Sequence, residues 1–159
     1  MADKKANDFN SLLGTLEKTL NEYLGQKAPQ LPKGWREIIV KFAPYLAVIG
    51  VILSIPAVLA LFGLGTMLAP LGMMGAVAVG RPFLGAGYII SIIFLVVVLI
   101  LEAMAIPGLF NRTKPGWTYL YYATLVGAVQ NIITFNIGGL LIGTLLGLYI
   151  LFQVKEYYK

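Results

Sequence analysis

The feature that most constrains this chain is the near absence of charge beyond residue 38. From there to residue 159, long apolar runs are interrupted by only eight charged side chains, namely Lys41, Arg81, Glu102, Arg112, Lys114, Lys155, Glu156 and Lys159. A soluble domain of this size needs a polar outer shell, which this composition cannot supply. The sequence therefore predicts an all-α integral membrane protein, because helices satisfy their backbone hydrogen bonds without water.

The first 34 residues have a different character. From about Asp8 to Leu24, apolar residues recur at helical spacing on one face and polar residues occupy the other. This pattern predicts an amphipathic helix that lies in the membrane interface, with a protein partner or disorder in solution as alternatives. The prolines and glycine of residues 26–34 predict a linker. The predicted domains are therefore the appendage 1–34 and the transmembrane bundle 35–159.

The apolar part divides into segments at about 38–62, 64–80, 84–109, 117–135 and 137–152. We interpret them as a bundle of four transmembrane helices, with 117–135 and 137–152 counted together as one crossing. The second helix, at 64–80, is short and either spans the membrane or re-enters it. Counting basic residues on each side favours four spans, which give six against two, over three spans and a half-helix, which give five against three. Both counts separate Arg112 and Lys114 from Lys155 and Lys159. Both also predict a multi-pass protein of the cell membrane with a cytoplasmic N-terminus.

Two stripes of small residues predict close packing of helices. They recur every four residues, so that each stripe occupies one helix face, and they comprise Gly139, Gly143 and Gly147 in the last segment and Gly72, Ala76 and Gly80 in the second. Small side chains let two backbones approach closely, which favours helix association in lipid. We expect the two stripes to pack together within the bundle. A homodimer seam and a pore lining are the alternatives.

Four polar residues form the candidate ion or solute site. Glu102 is the one acidic residue inside a span, and folding the 111–116 loop back brings it near Thr124. Gln130 and Thr134 share a helix face. An acid inside a membrane marks either an ion or proton site or a structural hydrogen-bond anchor. The Gln130 face predicts interhelical hydrogen bonds or a polar cavity.

Several chemistries are excluded by composition. The chain has no cysteine and no histidine, and it shows no phosphate-binding loop, paired acids or nucleophile elbow. We therefore predict no enzyme activity, no metal and no cofactor. The net charge of +5 is attributed to the positive-inside bias and to attraction for anionic lipid, and nucleic-acid binding is not expected. The predicted partners are the lipid bilayer and either a second copy or another membrane protein.

The closing stretch resembles small bacterial multi-span proteins of no assigned function. The resemblance covers residues 84–159 and rests on the Gly-Leu-Phe-Asn-Arg112 turn, the Lys-Pro-Gly-Trp117 re-entry and the aromatic and basic tail. It implies a bacterial membrane protein and transfers no site. The function expected from the sequence is a non-catalytic membrane scaffold or assembly partner. The alternative is a small ion or solute transporter that uses Glu102 and the Gln130/Thr134 face.

Overall fold

The computed structural model describes residues 2–59 and 86–159, and within these ranges it contains helices and no strand. The elements in chain order are α1 (Ala2–Leu20), the π-helical segment π1 (Asn21–Lys27), α2 (Lys33–Leu59), α3 (Ala86–Phe110), α4 (Lys114–Ile133), the π-helical segment π2 (Gly139–Leu146), α5 (Gly147–Val154) and a 3₁₀ turn (Lys155–Tyr157). The predicted all-helical class is confirmed.

The first two helices are longer than the sequence predicts. Helix α1 begins at Ala2, ahead of the predicted start near Asp8, because the alanines and lysines of its first turns are strong helix formers. The chain then stays helical through π1, past the predicted end of the helix at Leu24. Helix α2 begins at Lys33 rather than near residue 38, directly after Pro32. Proline suits the position before a helix because its missing N–H would have no partner there.

Three helical stretches among the described residues are long and apolar enough to cross a membrane. They are Lys33–Pro56, Ile93–Phe110 and Gly139–Tyr157. Helix α4, the predicted span at 117–135, is not among them, because its tyrosines, threonines and amides lower its hydropathy. The predicted segment 64–80, which includes Gly72, Ala76 and Gly80, lies outside the described residues.

Helices α3 and α4 form a tight hairpin. They are joined by a short turn in which Arg112 has a φ of 53° and the Thr113 N–H donates to Gly108 O at 2.8 Å. The two backbones meet at Gly108 and Gly116, where a Cβ added to Gly108 would lie 2.5 Å from the Gly116 Cα. This distance is shorter than real Cβ contacts allow, so both positions require glycine. No sequence pattern indicates this pair, because seven residues and a turn separate the two glycines.

The chain reverses again after α4, so that π2 and α5 run antiparallel to it. The Asn131 amide reaches the Thr144 hydroxyl at 3.5 Å, and the Trp117 indole N–H donates to Leu151 O at 2.8 Å. The reversal occurs at residues 134–138, where Phe135 has a φ of 50°. Helix α4 therefore lies between α3 and the closing helix, which is formed by π2 and α5 together. Helix α2 contacts both α3 and α5.

Only part of the glycine stripe faces a neighbouring helix. A Cβ on Gly139 would meet the side chains of Asn131 and Asn136, and a Cβ on Gly147 would lie 3.6 Å from the Thr124 methyl group. A Cβ on Gly143 would meet nothing within 4 Å. The partner proposed for this stripe falls outside the described residues, so its pairing with Gly72, Ala76 and Gly80 stays a prediction.

The aromatic core gathers at one end of the bundle. Trp117 stacks on Tyr121 with ring centroids 5.4 Å apart, and Phe152 meets both rings edge-on. Val40 and Leu109 are buried beside them. The cluster therefore joins the start of α2, the end of α3, the start of α4 and the end of α5.

The same end collects the basic residues, and we call it the basic end, defined by Arg36, Arg112, Lys114, Lys155 and Lys159. The Lys114 N–H donates to Lys159 O at 2.9 Å, and the Lys159 N–H donates to Arg112 O at 3.0 Å. The predicted separation of Arg112 and Lys114 from Lys155 and Lys159 is therefore wrong. The reason is the reversal at residues 134–138, which returns the chain to the end from which α4 started.

Candidate functional site

Glu102 lies on the inner face of α3. Ala105 and Leu109, three and seven residues further along this face, are buried, and Glu102 itself is half-buried. Among the side chains that the structure describes, no basic group comes within ion-pair distance of its carboxylate. The position fits an interior acid, and its role stays a prediction.

The other predicted site residues use their hydroxyl groups locally. The Thr124 hydroxyl donates to Leu120 O at 2.9 Å, and the Thr134 hydroxyl donates to Gln130 O at 2.7 Å. Such bonds to the preceding turn are a common way for threonine to satisfy itself inside a helix. Apart from this bond from Thr134 to the Gln130 backbone, no side-chain hydrogen bond between described residues joins Glu102, Thr124, Gln130 and Thr134 to one another.

Two neighbouring amides build the turn after α4. The Asn136 side-chain amide donates from Nδ2 to Asn131 Oδ1 at 3.2 Å, and its Oδ1 accepts a hydrogen bond from the Gly139 N–H at 3.0 Å. Asn136 thereby caps the start of π2, where a side-chain oxygen satisfies a free backbone donor. Asn131 and Asn136 therefore have a structural role at the turn.

A second polar site, which no sequence pattern indicates, joins the N-terminal appendage to the end of α5. Gln153 is only 2% exposed, its amide N–H donates to Leu24 O at 2.9 Å, and its carbonyl accepts from the Leu31 N–H at 3.1 Å. One side chain thus holds both sides of the linker. A buried amide with both groups satisfied stabilises a specific arrangement, because losing it would leave two backbone groups without partners.

Two further contacts attach the appendage. The Lys155 ammonium lies 2.8 Å from the Glu17 carboxylate and 4.9 Å from the centre of the Trp117 ring. The Tyr149 hydroxyl donates to Pro29 O. The N-terminal appendage is therefore fixed to the basic end through α1, the linker and α5.

The bundle covers only one edge of the apolar face of α1. Leu20 and, just beyond α1, Leu24 pack against the aromatic core. Leu12 is 67% exposed, and Leu16 and Tyr23 are exposed beside it. We call Leu12, Leu16 and Tyr23 the exposed edge. The bundle thus covers one side of the amphipathic helix and leaves the other side uncovered.

A pocket of about 350 Å³ opens at the basic end, beneath π1. The basic residues that line it are Arg36, Lys114 and Lys155, and the buried residues that line it include Trp117, Phe152 and Gln153. Tyr158 closes one wall, and burial raises the pKa of its phenol while the nearby Arg112 lowers it in part. No group of three or more acidic, histidine or cysteine side chains that could hold a metal occurs in the described parts of the chain.

Comparison with protein-family models, with curated proteins and with solved structures finds no match to this chain. No function is transferred to the chain from a relative. The resemblance of residues 84–159 to small bacterial multi-span proteins stays a prediction.

Proposed function

We propose that the chain is a multi-pass protein of the cell membrane that acts as a non-catalytic scaffold, presenting its docked N-terminal helix to a membrane-protein partner. The membrane location is supported by three helices of spanning length and by large apolar side chains exposed along α2 and α3. We include α4 as a fourth span, because it contacts both α3 and the closing helix, and its polar residues from Thr118 to Asn131 are partly or fully buried.

The proposed orientation places the basic end, and with it the N-terminus, in the cytoplasm. All five residues that define this end lie where α2 and α4 begin and α5 ends. Basic residues beside the spans are retained on the cytoplasmic side. The orientation is tested with Lys159→Cys, by labelling its single cysteine from the outside and from the inside of sealed vesicles.

The observation that carries the scaffold role is the exposed edge of α1. Gln153 and the Glu17–Lys155 pair fix the appendage in place, and yet Leu12 and Tyr23 remain exposed. An apolar surface that is held in one orientation is pre-organised for binding, since little conformational freedom is lost when a partner arrives. The edge faces away from the core, so it does not serve the bundle itself.

The test uses a photo-crosslinker at Leu12 in native membranes, with the same crosslinker at Asn10 as the control. Asn10 is exposed on the opposite face of α1. A scaffold gives a protein adduct of discrete mass from position 12 only, and Leu16→Lys removes it. Adducts to lipid alone from position 12 would contradict the scaffold role and leave α1 as an interfacial helix.

A small transporter is the second candidate, because Glu102 sits half-buried on the inner face of α3. Reconstituted vesicles loaded with a pH-sensitive dye separate the two roles. The scaffold proposal expects proton and monovalent-cation flux equal to that of protein-free vesicles, for the native chain and for Glu102→Gln alike. Flux that requires Glu102 would favour the transporter.

A further inference from the structure

The pocket at the basic end has a composition that the scaffold role does not require. It lies where α2 and α4 begin and α5 ends, and its volume of about 350 Å³ suits a small polar group. Three cationic side chains, Arg36, Lys114 and Lys155, line it against one carboxylate, that of Glu156. The excess of positive charge points to an anionic ligand.

Arg36 is the lining side chain best suited to donate hydrogen bonds to such a ligand. Its side chain is only 13% exposed. Its Nε donates to Leu31 O at 2.8 Å and its Nη2 donates to the Gln30 side-chain oxygen at 2.6 Å. A guanidinium has five N–H donors in a rigid fork. The remaining Nη1 meets the Glu156 carboxylate only at 4.0 Å, so this side of the fork keeps donors for another acceptor.

The two lysines complete the basic lining. The Lys155 ammonium is paired with Glu17 at 2.8 Å, and this contact uses one of its three donors. Lys114 is exposed at the pocket mouth, at the first position of α4. Glu156 opposes an anion, but its side chain is 85% exposed and can turn into water. The pocket therefore favours a phosphate-like group with several oxygen acceptors.

The neighbouring surface distinguishes a lipid from a free ion. On α2, the apolar side chains next to Arg36 are exposed, with Trp35 at 62%, Ile38 at 50% and Phe42 at 52%. A tryptophan at this level is typical of the headgroup region of a bilayer. A phosphate that enters between Arg36 and Lys114 could therefore carry acyl chains that lie along the exposed side of α2.

We propose that this pocket binds the phosphate of an anionic phospholipid, with Arg36 and Lys114 as its main donors. The inference rests on the membrane location proposed above and is independent of the scaffold role. Basic pockets between membrane helices are a known means of holding anionic headgroups.

Native mass spectrometry of the full chain, released from detergent with added phosphatidylglycerol or phosphatidylcholine, tests the proposal. We expect phosphatidylglycerol to be retained preferentially. Arg36→Gln and Lys114→Gln should each weaken retention about tenfold, because a direct hydrogen bond to a charged group contributes about 1.5 kcal/mol, and 1.4 kcal/mol corresponds to tenfold. Glu156→Gln should strengthen retention, since it removes the opposing charge.

Lys33→Gln is the matched control. It removes the same charge from the same end, but Lys33 is exposed and does not line the pocket. We expect its retention to stay within about twofold of the native chain, because its charge acts only at long range. Equal losses for Lys33→Gln and Lys114→Gln would overturn the proposal in favour of general electrostatic attraction. Because Lys114 is exposed, its variant remains informative even if Arg36→Gln fails to fold.

Two more arms separate the possible failures. Displacement of phosphatidylglycerol by millimolar inorganic phosphate would identify a free-phosphate site and overturn the lipid assignment. Flotation with phosphatidylcholine vesicles measures membrane insertion without an anionic headgroup. A chain that does not float contradicts the membrane location itself, whereas a chain that floats and retains both lipids equally contradicts only the headgroup site.

Discussion

Polar side chains behave differently at the basic end and in the predicted intramembrane site. At the basic end, Gln153 and Lys155 contact residues more than a hundred positions away in the sequence. In α4, the hydroxyls of Thr124 and Thr134 bond to the carbonyl four residues earlier on their own helix. The first set therefore determines which segments meet, and the second set satisfies one helix by itself.

This difference bears on where function resides. A transport site needs polar groups that converge from several helices, whereas an assembly surface needs segments that are held in fixed relative positions. The basic end has the second property. The Glu102 face shows no such convergence among the described residues, and the comparison therefore favours the scaffold over the transporter. Substitutions that act on one region and spare the other measure the difference directly.

The largest effect is expected at the α3–α4 crossing, which supports the basic end. Gly108→Ala places a Cβ about 2.5 Å from the Gly116 backbone, which cannot move aside as a flexible side chain could. Forcing an extra carbon into such a contact should lower the free energy of unfolding by about 3 kcal/mol. Titration with sodium dodecyl sulfate in mixed micelles, followed by the fluorescence of Trp117 in a Trp35→Phe background, measures this change.

Gly127→Ala is the control for that crossing. Gly127 lies within α4, and a Cβ there would meet nothing within 4 Å. Alanine is the better helix former, so this variant should be unchanged or up to about 1 kcal/mol more stable. Similar losses at both glycines would show that the Gly108–Gly116 contact contributes no special constraint.

The helices could be predicted from the sequence because their signals are local. Charge-free runs and the loop predicted at residues 111–116 locate α2, α3 and α4 to within a few residues, although α4 already begins at Lys114, inside the predicted loop. The two π-helical segments were not predicted, because they depend on contacts with other segments. Gly139, for example, is pressed against Asn131 and Asn136 across the turn.

The basic end could not be predicted because its contacts join residues far apart in the chain. In the sequence, Gln153 stands out as a lone amide in the apolar run 148–154. Its partners, Leu24 O and Leu31 N, are backbone groups that carry no sequence signal. The charge counts failed for a related reason. They treated residues 117–152 as a single crossing, whereas the chain reverses within them.

An intermediate effect is expected for the amide that holds the linker. Gln153→Ala leaves Leu24 O and Leu31 N without their partner, which should cost about 2 kcal/mol. Hydrogen exchange should accelerate across π1 and the linker while α3 keeps its protection. Gln130→Ala is the counterpart in the other region, and we expect it to change stability by about 0.5 kcal/mol or less. A larger cost at Gln130 would reverse the comparison between the two regions.

The smallest effect is expected for the ion pairs, of which Glu17–Lys155 joins two segments and Glu22–Lys27 is an ordinary surface pair. The Glu17–Lys155 pair is about one-third exposed, whereas the Glu22–Lys27 pair lies within π1 and is more than half exposed. A double-mutant cycle with Glu17→Gln and Lys155→Gln should give a coupling free energy of about 1 kcal/mol, and the Glu22–Lys27 cycle about 0.3 kcal/mol.

The salt dependence of the two coupling free energies is a second way to compare the ion pairs. Exposed charges are screened at moderate ionic strength, while partly buried pairs are screened less. The Glu22–Lys27 coupling should therefore vanish at about 0.5 M salt, and part of the Glu17–Lys155 coupling should remain. If the two couplings are equal and disappear together, α1 is held by Gln153 and apolar contacts alone. The Glu17–Lys155 pair would then no longer support the fixed orientation of the exposed edge, which is part of the argument for the scaffold role.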